Sequence, residues 1–593
     1  MAKHPFLDLI TGYETSSEGD VKGKRFVSKA ISGGGPQDIP SKLSVKLTQI
    51  TRAFVNLVSY TSTRTWGLLL GVFGLLTLLL HFAVDYLSSA AELSTPVMLV
   101  GAIFAVIAIP LLSFDKPMSV AMQEIRLFDS IFFEFFCIRR MQKRDDMPGI
   151  HPAVGLVLGI ILAVLGAVLP IWWVVAFMLG TVYLFLTAIS PEFSFFFIFL
   201  VMPYLPMIKD SQVILACLVA VTMLSFVRKI GEGKRIYYFE QYDFLLLLML
   251  IIVFISGVFI GGAASFGPSS VMLILGFGGY ALTGSLVANR RLADCVIKAN
   301  IISSLPISAI AIAELVRAAL TGGIGEFGGS SATFDSPDML GAFLLVSAAF
   351  MFYFVFVRRH AVTKLIYGIY LFITLLAMAS TLRIWLLIAL VAGLIAYFAL
   401  KLHKSSWIAL GAIAFIPYLA LLLPNSVLSS AAELPILSTL GLSEYLTVWI
   451  SSRRLLVENL FAGVGIGNFM DAPYTASFLL QIACEAGVIV LVVFIMIFAV
   501  RLRHRSIYSP YTKHSQVSLL TDFADITVVA LLVYGLFTPL WSAPTVYYLF
   551  WCVFGLGSAV LRISKHEFDD RVGYFSDGAG IDSSSIDISL HRT

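Results

Sequence analysis

Long apolar runs separated by short polar stretches are the main feature of this chain. They fall at 66–88, 96–114, 152–169, 171–189, 194–208, 211–228, 243–262, 268–288, 292–320, 340–357, 361–380, 384–400, 406–424, 475–500, 525–543 and 545–562. A helix needs about 20 mainly apolar residues to cross a bilayer, and its backbone groups must be hydrogen-bonded internally. The pattern therefore predicts an all-α, polytopic transmembrane bundle of about 14 to 16 spans, the lower number because the run at 194–208 is short and contains Pro203 and Pro206.

Composition supports a membrane protein and argues against other classes. Of the 593 residues, 59% are hydrophobic and 13% are charged, and the mean hydropathy is +0.91. The net charge of +4 is small, and the basic residues lie in short loops, so nucleic acid is not an expected partner. The five cysteines are widely separated, and neither CxxC spacing nor a Walker or HExxH motif occurs. We therefore expect no cofactor and no metal ion.

The two ends of the chain differ from its middle. Residues 1–65 are polar and lack the apolar core of a signal peptide, which predicts a cytoplasmic N-terminal region. Residues 66–565 form the expected transmembrane domain. Residues 566–593 are rich in Ser, Asp and Gly, which predicts a disordered cytoplasmic tail.

Charge in the loops predicts the topology. Alternate loops carry clusters of Lys and Arg, for example at 139–144, 228–235 and 501–505, whereas the loops between them are nearly free of both. The positive-inside rule then places both termini in the cytoplasm and the loop 425–474 on the outer face. Few basic residues remain on that face: Lys209, Arg317, Arg383, Arg453 and Arg454.

Three of these arginines are candidates for binding phosphate, which a guanidinium grips with two hydrogen bonds. Arg383 lies at a helix junction, and Arg453 and Arg454 follow Trp449 in the outer loop. The alternative for Arg383 is that its side chain extends to the membrane interface. The alternative for Arg453 and Arg454 is a solvated helix face, where Glu458 is placed for a salt bridge with Arg454.

Further candidates lie on the same face. Glu314 and Arg317 share one helix face, either as an ion pair between neighbouring helices or as a pair facing a substrate. GVGIGNF at 463–469 lacks the third glycine of a dinucleotide fingerprint, so its glycines predict a sharp turn or a close approach to a ligand. Acidic residues that qualify as a base are Glu326, Asp335, Asp338, Glu433, Glu444 and Asp471.

Three motifs, in order and together with the topology, resemble the O-antigen ligase and O-antigen polymerase family of polytopic glycan transferases. The first is Arg383 after Ser380 and Thr381. The second is Trp449 followed by a helix and the GxG turn. The third is a re-entering helix with the pattern LQ, Glu and Gly. The residues of the second and third motifs are Trp449, Gly463, Gly465, Gly467, Asn468, Phe469, Leu480, Gln481, Glu485 and Gly487.

The motifs cover residues 380–500, and two positions differ from the family pattern. The family usually has an arginine four residues before the Trp, where this chain has Tyr445. It commonly has a histidine nine residues before the Glu, where this chain has Ala476. In ligases that histidine is thought to act as the base on the acceptor hydroxyl, so polymerase and ligase both remain open.

The resemblance implies a metal-independent glycosyltransferase of the bacterial cytoplasmic membrane. Its donor would be a polyprenyl-pyrophosphate-linked glycan and its acceptor a glycan or glycolipid on the outer face, with other polysaccharide-assembly proteins as further partners. Arg383, Arg453 and Arg454 would be catalytic. Substrate-binding residues would be Glu314, Arg317, Trp449, Gly463, Gly465, Gly467, Asn468 and Gln481. The alternatives are a flippase or other transporter of lipid-linked oligosaccharides, and a non-catalytic component of an assembly complex.

The topology is testable by single-cysteine labelling with a membrane-impermeant reagent in intact cells, after replacement of the native cysteines. A cysteine at Gly441 should react and one at Glu232 should not, because the first lies in the outer loop and the second beside a basic cluster. Reaction at Glu232 but not at Gly441 would reverse the orientation.

Overall fold

The computed structural model describes most of the chain between residues 56 and 579. Its ranges are 56–87, 95–124, 150–231, 235–240, 242–322, 327–358, 360–402, 407–435, 442–468, 477–514 and 518–579, with the single residues 49, 53 and 129. The chain divides into Met1–Phe54 and Val55–Thr593, and the description below concerns the second unit. The prediction for residues 1–65 thus lies largely outside the described residues, as do Glu326, Phe469, Asp471 and Ala476.

The regular elements of the described ranges are helices, which confirms the all-α prediction. The first ten are α1 Thr63–Leu87, α2 Thr95–Ser113, α3 Met118–Glu124, α4 Pro152–Val168, α5 Ile171–Ile189, α6 Pro191–Val201, α7 Ser211–Gly231, α8 Asp243–Phe259, α9 Gly262–Leu286 and α10 Arg290–Leu320. Those that follow are α11 Pro337–Val357, α12 Ala361–Ser380, α13 Ile384–Leu402, α14 Trp407–Phe415, α15 Asn425–Ala432, α16 Leu442–Glu458, α17 Phe478–Ala486, α18 Val488–His514, α19 Ser518–Tyr534 and α20 Pro544–Ala579. Short 3-10 helices extend α6 over Met202–Met207 and α14 over Ile416–Leu422.

Each predicted apolar run coincides with a helix or a pair of helices, but fewer of them reach spanning length. Within the described ranges, nine helices are long and apolar enough to cross a membrane, or ten if the pair Trp407–Leu422 and Asn425–Ala432, bent by 95°, is one span. Four further apolar helices are shorter. The estimate of 14 to 16 was higher because it counted short and broken runs as complete spans.

Local sequence sets where key helices begin. The Asn289 side chain accepts a hydrogen bond from Leu292 N–H and starts α10. Ser336 does the same for Met339 N–H, and Pro337 follows at the first helical position of α11. These are preferred N-terminal residues because a side-chain oxygen satisfies an N–H that has no partner within the helix, and proline has no N–H to satisfy there.

Two hydrophobic cores organise the helices. A small one joins Phe73, Val100, Ala163, Ile171 and Val174, from α1, α2, α4 and α5. The large one comprises the helices from α5 onward. Its central element is α20. In the most apolar 18-residue stretch of its segment Pro544–Lys565, 94% of the residues are buried.

Small residues allow the close packing of α1, α2 and α4. A Cβ on Gly74 would lie 2.6 Å from the Gly101 carbonyl oxygen, and one on Gly155 would lie 2.4 Å from that of Thr65. Helices in lipid associate through such close contacts because lipid tails give them no hydrophobic drive to pair. Their outward faces carry exposed leucine, isoleucine, valine and phenylalanine side chains, as expected for surfaces that face lipid.

The bundle has two chemically different ends. At the end we call the loop end, residues 442–468 and 477–487 pack on the termini of other helices, for example where Ser256 Oγ donates to Ala462 O at 2.7 Å. At the same end, Ser330 N–H donates to Ser380 O at 2.9 Å. At the opposite end, the basic end, arginines form ion pairs with buried or partly buried acids. These pairs are Arg235–Glu192, Arg358–Asp294, Arg501–Asp525, Arg505–Asp522 and Arg505–Asp525.

Two sequence predictions need correction. The run 475–500 is not one helix, because Gly487 separates α17 from α18 with a positive φ of 89°. The tail predicted to be disordered from residue 566 is helical as far as Ala579. Extending an existing helix requires no new nucleation, so the polar residues after 565 continue α20 without a break. Residues 580–593 lie outside the described residues.

The basic end yields a stability prediction. Asp525 pairs with both Arg501 (3.1 Å) and Arg505 (3.1 Å), so Asp525→Ala leaves buried guanidinium groups short of a counter-charge. We expect a loss of about 3–5 kcal/mol in the free energy of unfolding, measured in mixed micelles. Glu124→Ala, which breaks the exposed Lys116–Glu124 pair, is the matched control and should change stability by about 0–1 kcal/mol. Equal effects of the two variants would contradict this account.

Candidate functional site

A backbone clamp joins the glycine-rich loop to the junction between α17 and α18. Val464 N–H donates to Cys484 O at 2.9 Å, and Gly465 N–H donates to Glu485 O at 3.0 Å. On the other side of the junction, Val488 N–H donates to Leu460 O at 2.9 Å. We call this set of three hydrogen bonds the loop clamp. It fixes residues 460–468 against the end of α17.

Glycine is required at the two closest points of the loop clamp. Gly463 has φ +70° and Gly487 has φ +89°. A Cβ on Gly463 would lie 2.3 Å from Glu485 O, and one on Gly487 would lie 2.1 Å from Phe461 O. The predicted close approach is therefore made to the protein's own backbone at these two positions.

Beside the loop clamp is a cavity of about 200 Å³. It lies between α7, α9, the glycine loop, α17 and the start of α20. Its lining is Gln212, Pro268, Val271, Met272, Leu275, Ile466, Gly467, Asn468, Glu485, Ser542, Pro544 and Tyr547. Of the residues predicted to bind substrate, Gly467 and Asn468 line this cavity, whereas Gly463 and Gly465 make backbone contacts beside it.

Glu485 is the buried acid of this cavity, which we call the Glu485 cavity. The residue is 1% exposed, and its Oε1 accepts a hydrogen bond from Gln481 Nε2 at 3.1 Å. Its Oε2 has no hydrogen-bond partner in the described chain. A buried carboxylate oxygen without a partner is unfavourable by several kcal/mol in an apolar setting, and a polar ligand would remove that penalty.

Burial also changes the acidity of Glu485. Helix α17 has nine residues and, at about 1.5 Å per residue, is too short to cross a membrane. Desolvation raises the pKa of Glu485 to about 7, whereas interactions with Gln481, the Gly467 N–H and Trp541 act to lower it. Trp541 faces the carboxyl group without completing a hydrogen bond of normal geometry, since its Nε1 has no partner in the described chain. Burial therefore disfavours the ionised form of this carboxyl group.

Two aromatic residues add polar groups to the same place. The Tyr547 ring packs edge-on to the Trp541 ring with centroids 5.0 Å apart. Both residues are at most 1% exposed, and neither the Tyr547 hydroxyl nor Trp541 Nε1 has a hydrogen-bond partner in the described chain. The Glu485 carboxyl group and the Tyr547 hydroxyl thus line one small space, and Trp541 packs against Tyr547 beside it.

Arg383 lies in a second cluster at the loop end. Its Nε is 3.3 Å from Asp338 Oδ1, and its guanidinium carbon is 5.5 Å from the centre of the Trp385 ring. Trp385 Nε1 donates to the same Asp338 oxygen at 2.9 Å, and the Trp385 ring contacts Tyr445. With 29% of its side chain exposed, Arg383 is held in place and remains accessible to solvent.

The predicted arginine pair does not line the cavity. Arg453 Nη1 donates to Leu423 O, and Arg454 is 85% exposed and pairs with Glu458 at 3.2 Å. Trp449 is buried and stacks on Phe537. These contacts fit the solvated-face alternative for Arg454 and a packing role for Trp449.

Glu314 and Arg317 are not paired with each other in the described chain. Glu314 Oε2 accepts hydrogen bonds from Ser330 Oγ at 2.6 Å and from Ala332 N–H at 3.2 Å. It therefore anchors the loop that leads to α11. Arg317 is exposed, and the role of either residue in facing a substrate stays a prediction.

Sequence reasoning quoted Glu485 as part of a motif and assigned it no chemistry. The acids ranked as base candidates lie elsewhere: Asp338 pairs with Arg383, and Asp335, Glu433 and Glu444 are exposed. The available signal was an acidic residue four positions after Gln481 in the apolar helix FLLQIACEA. That spacing puts both side chains on one helix face.

No family model and no curated protein matches the chain. The resemblance to the O-antigen ligase and polymerase family therefore rests on the motifs themselves and stays a prediction. Among the described residues no group of three or more His, Cys, Asp or Glu side chains is arranged to hold a metal ion.

The loop clamp gives a prediction about Gly487. Its φ of 89° and ψ of 164° lie in a region that is essentially reserved for glycine, where another residue is strained by about 1–3 kcal/mol. Gly487→Ala should lower the melting temperature and any activity of the protein, because the added Cβ would displace the backbone carbonyl of Phe461. The control is Gly180→Ala in α5, where a Cβ meets nothing within 4 Å. This substitution should raise the free energy of unfolding by about 0.5–1 kcal/mol, because alanine is favoured over glycine within a helix. A Gly487→Ala protein as stable and active as wild type would contradict the role of the clamp.

Proposed function

We propose that this protein transfers a glycan from a polyprenyl-pyrophosphate carrier to a hydroxyl group of an acceptor sugar, with Glu485 as the general base. The observation that carries the proposal is the buried carboxyl group with one unpartnered oxygen in the Glu485 cavity. Glu485 would act as the base. In ligases of the family this role is assigned to a histidine, and this chain has Ala476 at the position of that histidine.

The proposed reaction balances without a further reactant. The acceptor hydroxyl gives its proton to Glu485 Oε2 while its oxygen forms a bond to the anomeric carbon of the donor. The bond from that carbon to the pyrophosphate oxygen breaks, and its electron pair leaves with the pyrophosphate. A base is most effective when its pKa is close to the working pH, which the pKa of about 7 satisfies.

The size and lining of the Glu485 cavity suit one sugar ring. Its volume of about 200 Å³ gives room for the reacting sugar of an acceptor. The Tyr547 hydroxyl, which lines the cavity, offers an unpaired donor for a sugar hydroxyl. The reacting end of the acceptor would enter the cavity while the rest of the glycan stays outside.

Arg383 supports the same proposal from the neighbouring cluster. Its ion pair with Asp338 and its contact with Trp385 hold the guanidinium at the loop end. Phe537 contacts Trp385 and Trp449, and Ser542, five residues later, lines the Glu485 cavity. The turn between α19 and α20 therefore lies between the two clusters, and Arg383 is positioned to bind a charged part of the donor outside the cavity.

The orientation and location belong to the proposal as well. With the basic end in the cytoplasm, the loop end faces outward, where lipid-linked glycans are polymerised or ligated in bacteria according to the family resemblance. The acceptor is a glycan or glycolipid and further polysaccharide-assembly proteins are expected partners. Polymerase and ligase activities both fit this site.

A transporter of lipid-linked oligosaccharides is the second candidate, favoured by one observation. Helices broken at Gly487 and at Met202–Met207 are typical of transporter binding sites. Detergent-solubilised protein distinguishes the two functions, because a micelle has no compartments and only an enzyme would change the substrate. The third alternative, a non-catalytic assembly component, would give no product in the same assay.

The proposal predicts the effect of changing Glu485. Glu485→Gln preserves shape and removes the base, so product formation should fall by about 10²–10⁴-fold at matched protein levels. Glu124→Gln, an exposed acid paired with Lys116, should leave the rate unchanged. In wild type the rate should rise with pH to about 7 and then level off, because a base must be ionised and burial raises the pKa of Glu485 to about 7. A Glu485→Gln protein with the wild-type rate and pH profile would refute the assignment.

A further inference from the structure

Gln481 is the side-chain hydrogen-bond partner of Glu485 within α17. The two residues are four positions apart, so their side chains lie on one face of the helix. Gln481 Nε2 donates to Glu485 Oε1 at 3.1 Å, and the two residues are 2% and 1% exposed. Glu485 lines the cavity, whereas Gln481 is not among the residues that line it. Gln481 therefore contacts the acid without contributing to the cavity wall.

This contact uses one carboxyl oxygen and leaves the other. Glu485 Oε1 accepts from Gln481, and Glu485 Oε2 has no hydrogen-bond partner in the described chain. The last side-chain torsion of a glutamate is broad, so an unrestrained carboxyl group samples many orientations. A donor that holds Oε1 restricts this rotation and thereby fixes Oε2, the oxygen that remains available to a ligand.

The backbone of α17 is held at both ends, which leaves the side-chain torsions as the main freedom of Glu485. At the start of the helix, Phe478 N–H donates to Gly535 O at 2.5 Å. At its end, Gly465 N–H donates to Glu485 O at 3.0 Å as part of the loop clamp. A fixed backbone together with a fixed carboxyl group gives the precise placement that a catalytic group needs.

Few titratable groups lie near the carboxyl group of Glu485. The residues that line the cavity include no Lys, Arg, His or Asp, and Tyr547 is the other titratable residue among them. Cys484 precedes Glu485 in the chain, and its thiol donates to the backbone carbonyl of Ser452 in α16 at 3.3 Å. The ionisation of Glu485 therefore depends mainly on its burial and on the donors that reach it.

Gln481 is the strongest of these donors. Burial raises the pKa of Glu485, whereas interactions with Gln481, the Gly467 N–H and Trp541 lower it, and that with Gln481 has the largest effect of the three. A donor to a carboxylate stabilises the ionised form. Removing the Gln481 amide should therefore raise the pKa of Glu485 further, while the burial of the group stays the same.

We infer that Gln481 is a positioning residue, which holds Glu485 Oε1 and thereby keeps Oε2 turned toward the cavity as the proton acceptor. The inference rests on the proposed function for the role of Glu485 as a base. It differs from the sequence prediction, in which Gln481 would bind substrate. Gln481 instead acts through Glu485 and does not touch the ligand.

The first test measures the ionisation of Glu485 without a substrate. Infrared spectroscopy of the purified full-length protein follows the C=O stretching band of protonated carboxyl groups across pH, and the band that is lost in Glu485→Gln belongs to Glu485. Gln481→Met keeps the length of the side chain and removes the donor. In this variant the midpoint should rise by about 1–2 pH units, the effect of losing a hydrogen bond to a charged group. An unchanged midpoint would overturn the inference.

A second variant and a control accompany this titration. Gln481→Asn keeps the amide on a side chain shorter by one methylene, which cannot reach Oε1, so its midpoint should also rise. It tests the same contact if Gln481→Met does not fold. The control is Gln123→Met in α3, a glutamine that is not among the residues lining the cavity, and its titration should match that of wild type.

The second test separates positioning from substrate binding by the kinetics of glycan transfer. Gln481→Met should move the pH of the half-maximal rate upward by the same amount and lower kcat by up to about 100-fold, because the base is no longer held in place. The KM for the lipid-linked donor should not change. A raised KM with the wild-type kcat and pH profile would show that Gln481 binds the substrate and would overturn the inference. A rate that falls equally at every pH would show a merely structural role and would overturn it as well.

The result can be separated from the fate of the proposed function. The infrared midpoint reports the contact between Gln481 and Glu485 whether or not the protein transfers a glycan. An unchanged midpoint in Gln481→Met together with lost transfer in Glu485→Gln would reject the positioning role and leave the transferase proposal standing. A raised midpoint together with full transfer in Glu485→Gln would retain the hold of Gln481 on the carboxyl group and reject Glu485 as the base.

Discussion

The three hydrogen bonds of the loop clamp are the constraint on which the loop end depends. They tie Leu460, Val464 and Gly465 to residues 484–488, so the chain must turn sharply after α17 instead of continuing as one helix. This break keeps α17 short and leaves the Glu485 side chain at the wall of a cavity. Without the clamp, the apolar run 475–500 would have no reason to depart from a regular helix.

Backbone strain and buried charge are distributed to opposite ends of the bundle. The described residues with φ between +48° and +103° include Asp210, Ala332, Leu382 and seven glycines, and they lie in the turns of the loop end. The buried ion pairs of Arg501 and Arg505 lie at the basic end. Strained backbone persists where the surrounding structure imposes it, often at functional sites, whereas a network of buried charges specifies one arrangement of helices. One end thus concentrates strained turns and the other concentrates buried ion pairs.

The sequence was sufficient to predict the helices, because apolar length and polar interruption act locally. It could not predict the break at Gly487, since that position lies in an apolar run and its conformation is imposed by residues near 461. Arg383 was correctly expected at a helix junction, but its partner Asp338 lies 45 positions earlier and only the tertiary structure brings the two together.

The sequence and the structure draw attention to different site residues for a related reason. Arginines attract attention because their charge is unexpected near lipid, yet Arg454 is exposed and Arg453 contacts a backbone carbonyl. Glu485 is marked by burial and by an oxygen without a partner, which are properties of the packed structure. Neither the burial of this residue nor its unpartnered oxygen can be predicted from composition or spacing. The chemistry of the cavity is therefore evident only from the residues that line it.

The burial of α20 has a consequence for biosynthesis. This helix occupies the centre of the large core, with 94% of its most apolar window buried, yet it follows every other described helix in the chain. Helices α9, α18 and α19, which surround it, must therefore enter the membrane before the element that fills the space between them. Tyr547, Trp551 and their neighbours on α20 then fill the space between these helices.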